Sequence, residues 1–340
     1  MGGGGAMNET ERYRDALLQI AELARKATQE DRQVEHGNGR ARLTPASQGG
    51  CTLKVLPSRL LVKAAEVARK INPVNAPQPG PLAAVGADLP LDPMKIALLT
   101  SKYWGPATRQ LTVSFTESAP TDLRARIVSH LNAWATSGGV SFVETSGTGD
   151  VRISREPGGY WSYLGTDVKL IPTDQQTMNL EGFTMRTPES EYNRVVRHEA
   201  GHTLGFPHEH MRRELVARID PDKAYAYFLA TQGWDKTTVD QQVLTPLDDA
   251  SIFATPADQT SIMCYQLPSS ITHDGQPILG GMDINVTDFV FAGLIYPKFN
   301  FEDIQAVRKT KPKLGEDLAA SVEQAGVRDW GAARDPQLSM

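Results

Sequence analysis

The chain has little cysteine: two residues in 340, Cys51 and Cys264. That excludes a fold stapled by a disulfide framework, and one pair over so long a span is weak evidence for an oxidising compartment. It has no apolar run of 18 residues, and its mean hydropathy is -0.34, so no transmembrane helix is expected. It has no long Lys/Arg run, and the net charge is -5 with a pI near 5.8; both read against a nucleic-acid partner. The opening MGGGGAMNETERYRD lacks the basic n-region and apolar h-region of a signal peptide. No internal repeat is visible. Histidine is scarce as well, with seven in all, yet four of them fall between positions 198 and 210.

Hydrophobic periodicity divides the chain into four parts. Residues 1–71 read as a helical N-terminal segment. Leu17, Ile20, Leu23 and Ala24 recur at helical spacing within 8–30, a polar loop covers 31–50, and 52–71 suggests a short strand followed by a second helix. Residues 72–94 hold six of the 22 prolines and read as an extended linker. Residues 95–298 change character. Leu111, Val113 and Phe115 alternate as in a strand, and Thr121 opens a helix with Leu123, Ile127, Leu131 and Trp134 on one face. VSFVE at 140–144, DVRIS at 150–154 and DVKLI at 167–171 are strand-like. Helical pieces follow at 220–233 and at 283–296, where Val286, Phe289, Val290 and Leu294 suit one apolar face. The remainder, 299–340, is a charged tail without clear patterning. The expected fold is α+β, a mixed twisted sheet with helices packed on it.

The histidines lie in HEAGHTLGFPH, 198–208. Thr187 reads as the N-cap of the helix that carries them, Pro188 as its first residue, and Gly205 as its left-handed stop. Residues four apart share a helical face, so His198 and His202 can aim at one ion. Gly205 supplies a turn, and His208 arrives as a third ligand. Three neutral imidazoles suit a zinc ion with its fourth position open to water, whose pKa falls towards 7. Glu199 is rotated about 100° from His198, which lets its carboxylate reach that water rather than the metal. It is assigned as general base and then as acid to the leaving amine.

The extended spacing, followed by SIMCY at 261–265, matches the metzincin signature with its methionine turn. HEAGHTLGFPHEHMRR resembles the HExxHxxGFxHExxR of the astacin family, including Phe206, Glu209 and Arg212. FVETSGTGDVRIS, GGYWSYLG and DINVTDFVFAGLIY are similar to family segments flanking the site, so the resemblance spans about residues 95–297. It implies a two-subdomain metzincin-like catalytic domain, Met263 beneath the ligands, and Tyr265 as a mobile tyrosine that stabilises the oxyanion. It also implies that Glu209 accepts the N-terminal ammonium of a matured chain; pairing with Arg212 is the alternative. Cys264 stands where the family usually has histidine, the family's paired cysteines are absent, and Glu214-Leu215 replace its acidic-arginine pair.

The reading is a zinc-dependent endopeptidase with one catalytic zinc held by His198, His202 and His208, a zinc-activated water served by Glu199, and Tyr265 at the oxyanion. Its partner is a protein or peptide substrate. Residues 1–71 are a candidate propeptide, making the chain a zymogen. Asp88 and Cys51 are candidates for holding the zinc latent, although for Cys51 an ordinary buried cysteine is the favoured reading. The alternatives are a catalytically silent metzincin-fold binding module, and a zinc amidase acting on cell-wall peptide. The resemblance favours secretion, while this chain shows no leader.

Overall fold

The structure is a computed structural model, and it describes residues 51–75, 101–247 and 257–297. The helix expected over 8–30, the loop over 31–50, most of the Pro-rich stretch with Asp88, and the tail 299–340 lie outside the described residues.

Alternation of Leu111 and Val113 builds β1 (Arg109–Phe115), whose inward side chains are almost fully buried. It lies between β2 (Val140–Glu144) and β3 (Val151–Ser154), parallel to both, with Val113 opposite Glu144 on one side and Val151 on the other. β3 pairs in parallel with β5 (Met178–Leu180). β4 (Tyr160–Ser162) then pairs antiparallel with β5 and ends the sheet, in the order β2-β1-β3-β5-β4. The sheet is therefore mixed, as expected, and β3 is buried at all four positions because both its faces are covered.

DVKLI is not a strand. Gly165–Leu170 form a 3-10 turn. Gly165 has φ +46°, and a Cβ there would collide with the Lys102 carbonyl oxygen. Asp167, two residues on, turns inward to an ion pair with Lys102 at 3.3 Å, with both side chains about nine-tenths buried. Arg152 pins the following loop from β3, donating to the carbonyls of Ile171 and Gln175. An alternating sequence was thus captured by a buried charge pair and a backbone approach that only glycine permits.

The helix α1 (Ser58–Ile71) buries Ala64, Ala65 and Ala68, and Leu56 just before it packs with Ile171. The chain then turns through Pro73–Asn75. Asn75 is fully buried: its amide donates to the carbonyls of Ala68 and Tyr103 and its oxygen accepts from the Tyr103 N–H. α2 (Thr121–Leu131) presents Leu123, Ile127 and Leu131 to the core, which Trp134 joins from the next turn.

The main core runs from β1 and α2 through Tyr192, Val195, Val196 and Ala200 to Met263 and Phe289. A second core lies beyond the histidines. It gathers Leu215, Phe228 of α3 (Pro221–Gln232), Val243, Cys264, Leu267 and Ile278. α3 opens at Asp220, whose side chain accepts from the Lys223 N–H, and closes at Gly233 with φ 69°. The last helix, α4, covers Val286–Ile295. Its expected apolar face is corrected at Val286, which is 38% exposed; Asp288 faces inward instead. No helix among the described residues is long and apolar enough to cross a membrane.

Candidate active site

The histidine helix begins later and less regularly than its sequence suggests. Thr187 is not the cap: its hydroxyl accepts from the Thr184 N–H, Pro188 takes the cap position, and the first turn is Glu189–Glu191. A π-turn follows over Tyr192–Val196, and regular α-helix resumes for Arg197–Thr203. The π-turn inserts an extra residue into the spiral, and such bulges are common at functional sites. The indoles of Trp104 and Trp134 hold the helix by donating to the carbonyls of Thr203 and Arg197 at 2.8 and 2.7 Å. Gly205, with φ +96°, ends it, as the sequence indicates.

That turn brings three imidazoles together. The ring centroids of His198 and His202 are 4.7 Å apart, and that of His208 is 5.3 Å from the first and 4.5 Å from the second. His198 Nδ1 donates to the Ile262 carbonyl at 2.6 Å, and His202 Nδ1 donates to the Phe206 carbonyl at 2.8 Å. Each bond fixes the tautomer and leaves Nε2 as a bare lone pair. His202 Nε2 lies 3.0 Å from His208 Nε2, while His198 Nε2 is buried without a hydrogen-bond partner. Burial holds all three rings neutral, His198 with a pKa pushed down to about 4.

Imidazole nitrogens buried and converging in this way suit a cation. Tetrahedral zinc with Zn–N bonds of about 2.0–2.1 Å separates its nitrogen ligands by about 3.3 Å. The Cys51 thiol completes the group. One donor atom from each of Cys51, His198, His202 and His208 lies within 4.8 Å of the others, and all four residues are buried. Cys51 is a buried free cysteine, and its donor atom makes it a candidate fourth ligand, the second of the roles the sequence left open. Three imidazoles and a thiol form a donor set suited to zinc.

Glu199 and Tyr265 face the same space. Glu199 is fully buried, both its oxygens lack hydrogen-bond partners, and burial pushes its pKa up to about 8. The Tyr265 ring stacks between His198 and His210, at 9° to each and 4.5 Å from the latter. Its hydroxyl is also buried and unpartnered, and burial beside Cys51 and Glu199 holds it protonated. Arg194, one turn before Glu199 and tied to Glu191 at 2.7 Å, supplies the nearest positive field.

Beneath the ligands, Met263 occupies the space over Gly201 of the motif, where a Cβ would collide with its sulfur. Asp288, which sequence reading passed over, organises this turn. Its carboxylate accepts from the Ser261 hydroxyl at 2.5 Å, the Ile262 N–H at 2.9 Å and the Asn285 N–H at 3.0 Å. The Asn285 side chain in turn accepts from the Asp288 N–H, so the two form a capping box. That Asn-x-x-Asp signature is present in DINVTD and could have been found. Cys264 is buried in the second core, where a small apolar residue packs without a polar partner set. Glu209 lies 3.8 Å from Arg212, accepts from the Asp258 N–H at 3.1 Å, and borders a small cavity of about 40 Å³ shared with Tyr103 and Trp134.

The family model for astacin, a peptidase family, matches residues 98–280, more than half of the chain. The chain belongs to the astacin family. It is 31% identical over 121 residues to zinc metalloproteinase nas-27 of Caenorhabditis elegans, an alignment covering 34% of this chain and 26% of that protein. This astacin-family chain thus spans about a quarter of the length of that curated relative. Among solved structures it is similar to myroilysin, at 28% identity and a TM-score of 0.55, over 59% of this chain and 97% of that one. It also matches high choriolytic enzyme 1, a hatching enzyme zinc-protease from Oryzias latipes, at 18% identity and a TM-score of 0.39, over 55% and 88% of the two chains. The likeness to myroilysin is consistent with the α+β fold described above.

Proposed function

We propose that the protein is a zinc-dependent endopeptidase synthesised in a latent form, with His198, His202 and His208 as its permanent ligands and Cys51 as a removable fourth. The observation that carries this reading is the convergence of one thiol and three imidazoles beside an unpartnered buried carboxylate. A zinc ion held there supplies a Lewis acid for the scissile carbonyl and lowers the pKa of water.

The chain's own residues do the rest. Glu199 takes the proton of the attacking water and delivers it to the leaving amine, for which its buried position beside the ligands is suited. The Tyr265 hydroxyl donates a hydrogen bond to the developing oxyanion. β4 ends the sheet with its outer edge available to an extended peptide, which gains main-chain hydrogen bonds without regard to side chain. In this structure that edge is taken by the chain itself. Thr52 and Lys54 donate to the carbonyls of Tyr160 and Ser162 at 3.0 and 3.3 Å, in parallel register. A segment that fills the substrate's edge and places a thiol on the ligand cluster is the geometry of a plug.

Activation then requires a cut in the Pro-rich stretch after residue 75 and release of what precedes it. We assign Glu209, which borders a small cavity and lies 3.8 Å from Arg212, as the acceptor for the ammonium of the new N-terminus. The test is Glu199→Ala in the processed protein: it retains one equivalent of zinc and loses peptide hydrolysis by about 10³-fold. Substantial residual cleavage by that variant sinks the assignment, and unimpaired zinc binding without cleavage by the wild type favours the silent binding module.

A further inference from the structure

We propose that Gln242 is a second peptide-binding element of the cleft, gripping one residue of the bound chain by both its N–H and its C=O from the side opposite β4. The proposal rests on the endopeptidase reading, in that the covering segment marks the path a substrate takes.

An extended chain offers its hydrogen-bonding groups alternately to its two sides. In residues 52–54 this alternation is fully used. Thr52 and Lys54 turn their N–H groups to β4, and Leu53 turns the other way. The Leu53 N–H donates to Gln242 Oε1 at 3.0 Å, and Gln242 Nε2 donates to the Leu53 carbonyl at 3.2 Å. Among the described residues the carboxamide has no other partner. Gln242 is buried with the segment in place, and the departure of the segment frees this donor and acceptor for another backbone.

Two features make this more than a local contact. The turn that carries Gln242, Asp240–Leu244, is tied to the ligand cluster: His210 Nε2 donates to the Gln242 carbonyl at 2.9 Å, and the His210 ring stacks on Tyr265. The backbone turn that carries the amide is thus anchored to the ligand cluster. A primary carboxamide also exchanges its donor and acceptor on a half-turn about its last bond. It can therefore pair with a backbone running either way, whereas a carboxylate can serve only the N–H and a hydrocarbon serves neither. A cleft that holds its own segment parallel to β4 can hold a peptide of the opposite direction with the same side chain.

The experiment has two arms. In the first, the zinc-loaded full chain is cut within 76–94, its N-terminal fragment is removed, and hydrolysis of a generic fluorogenic peptide is measured for wild type, Gln242→Leu and the isosteric Gln242→Glu. KM rises about ten-fold in both variants while kcat stays within two-fold. Gln242→Asn, which keeps the amide on a shorter stem, falls between. In the second arm, the rate at which iodoacetamide alkylates Cys51 in the zinc-free full chain rises about ten-fold in Gln242→Leu, because the segment opens more often. Unchanged KM in Gln242→Leu and Gln242→Glu overturns the proposal, as does an unchanged alkylation rate. If wild type cuts no peptide, the endopeptidase reading fails separately, and the alkylation arm alone decides whether Gln242 grips a backbone.

Discussion

The ligand cluster and the segment that covers it meet at one point and are secured very differently. His198 and His202 sit on a helix pinned by two indoles, their outer nitrogens bonded to the carbonyls of Ile262 and Phe206, above a core that continues to Met263 and Phe289. Cys51 arrives on three residues of extended chain. Its neighbours hold on by two bonds to β4 and two to Gln242, and the nearby hydrophobic contact is a small group around Leu56, Ala64 and Ile171. The first region is built so that removing any one part leaves buried polar groups unpaired. The second is held mainly by groups that water or another peptide can satisfy after it leaves. That contrast is what a permanent metal site under a removable plug requires.

The largest expected effect lies on the permanent side. Glu199→Ala lowers kcat of the processed protein by about 10³-fold with zinc content unchanged, measured by hydrolysis and by metal analysis. The plug gives the next largest. Cys51→Ala lets the uncut full chain hydrolyse peptide at least about ten-fold faster than uncut wild type, because a thiolate is a far stronger zinc ligand than the water that replaces it. Equal rates for the two uncut chains would mean that the thiol does not hold the site closed. Gln242→Leu raises KM by about ten-fold, as described above. The smallest functional effect, and the clearest structural one, belongs to Asp288. Asp288→Ala strips the acceptor from Ser261, Ile262 and Asn285 and costs about 3 kcal/mol of stability, read from denaturant unfolding. Stability within about 0.5 kcal/mol of wild type, the scatter of a neutral surface substitution, would deny its part in shaping the methionine turn.

Much of the site was legible because its spacing is set by helix geometry. The four-residue step of His198 and His202, the glycine stop at 205 and the third histidine at 208 follow from backbone rules that act locally. The family resemblance added Met263 and Tyr265, and the structure brings both to the cluster. What the sequence leaves open or hides depends on contacts far apart in the chain: it names Cys51 only as one of two candidates for the latent ligand, with Asp88. Nothing near Cys51 in the sequence tells that it crosses to residues almost 150 positions on, and its spacing from the histidines carries no periodic signal. Gln242 is invisible for the same reason, since it bonds to Leu53 across 189 residues. DVKLI shows the opposite failure, where a local strand pattern yielded to the buried Lys102–Asp167 pair and to the conformation of Gly165. The start of the histidine helix misled because Thr187 is an equally good partner for a turn, with Thr184, as for a helix.

Whether Cys51 is the removable fourth ligand of a three-histidine site is decided by replacing zinc with cobalt(II) and recording the absorption spectrum of the uncut chain. A sulfur-to-cobalt charge-transfer band in the near ultraviolet and a visible pattern of four-coordinate cobalt are expected, with the ultraviolet band lost both in Cys51→Ala and on removal of the N-terminal fragment. An uncut wild-type chain that binds one cobalt ion and shows no such band would contradict that role for Cys51.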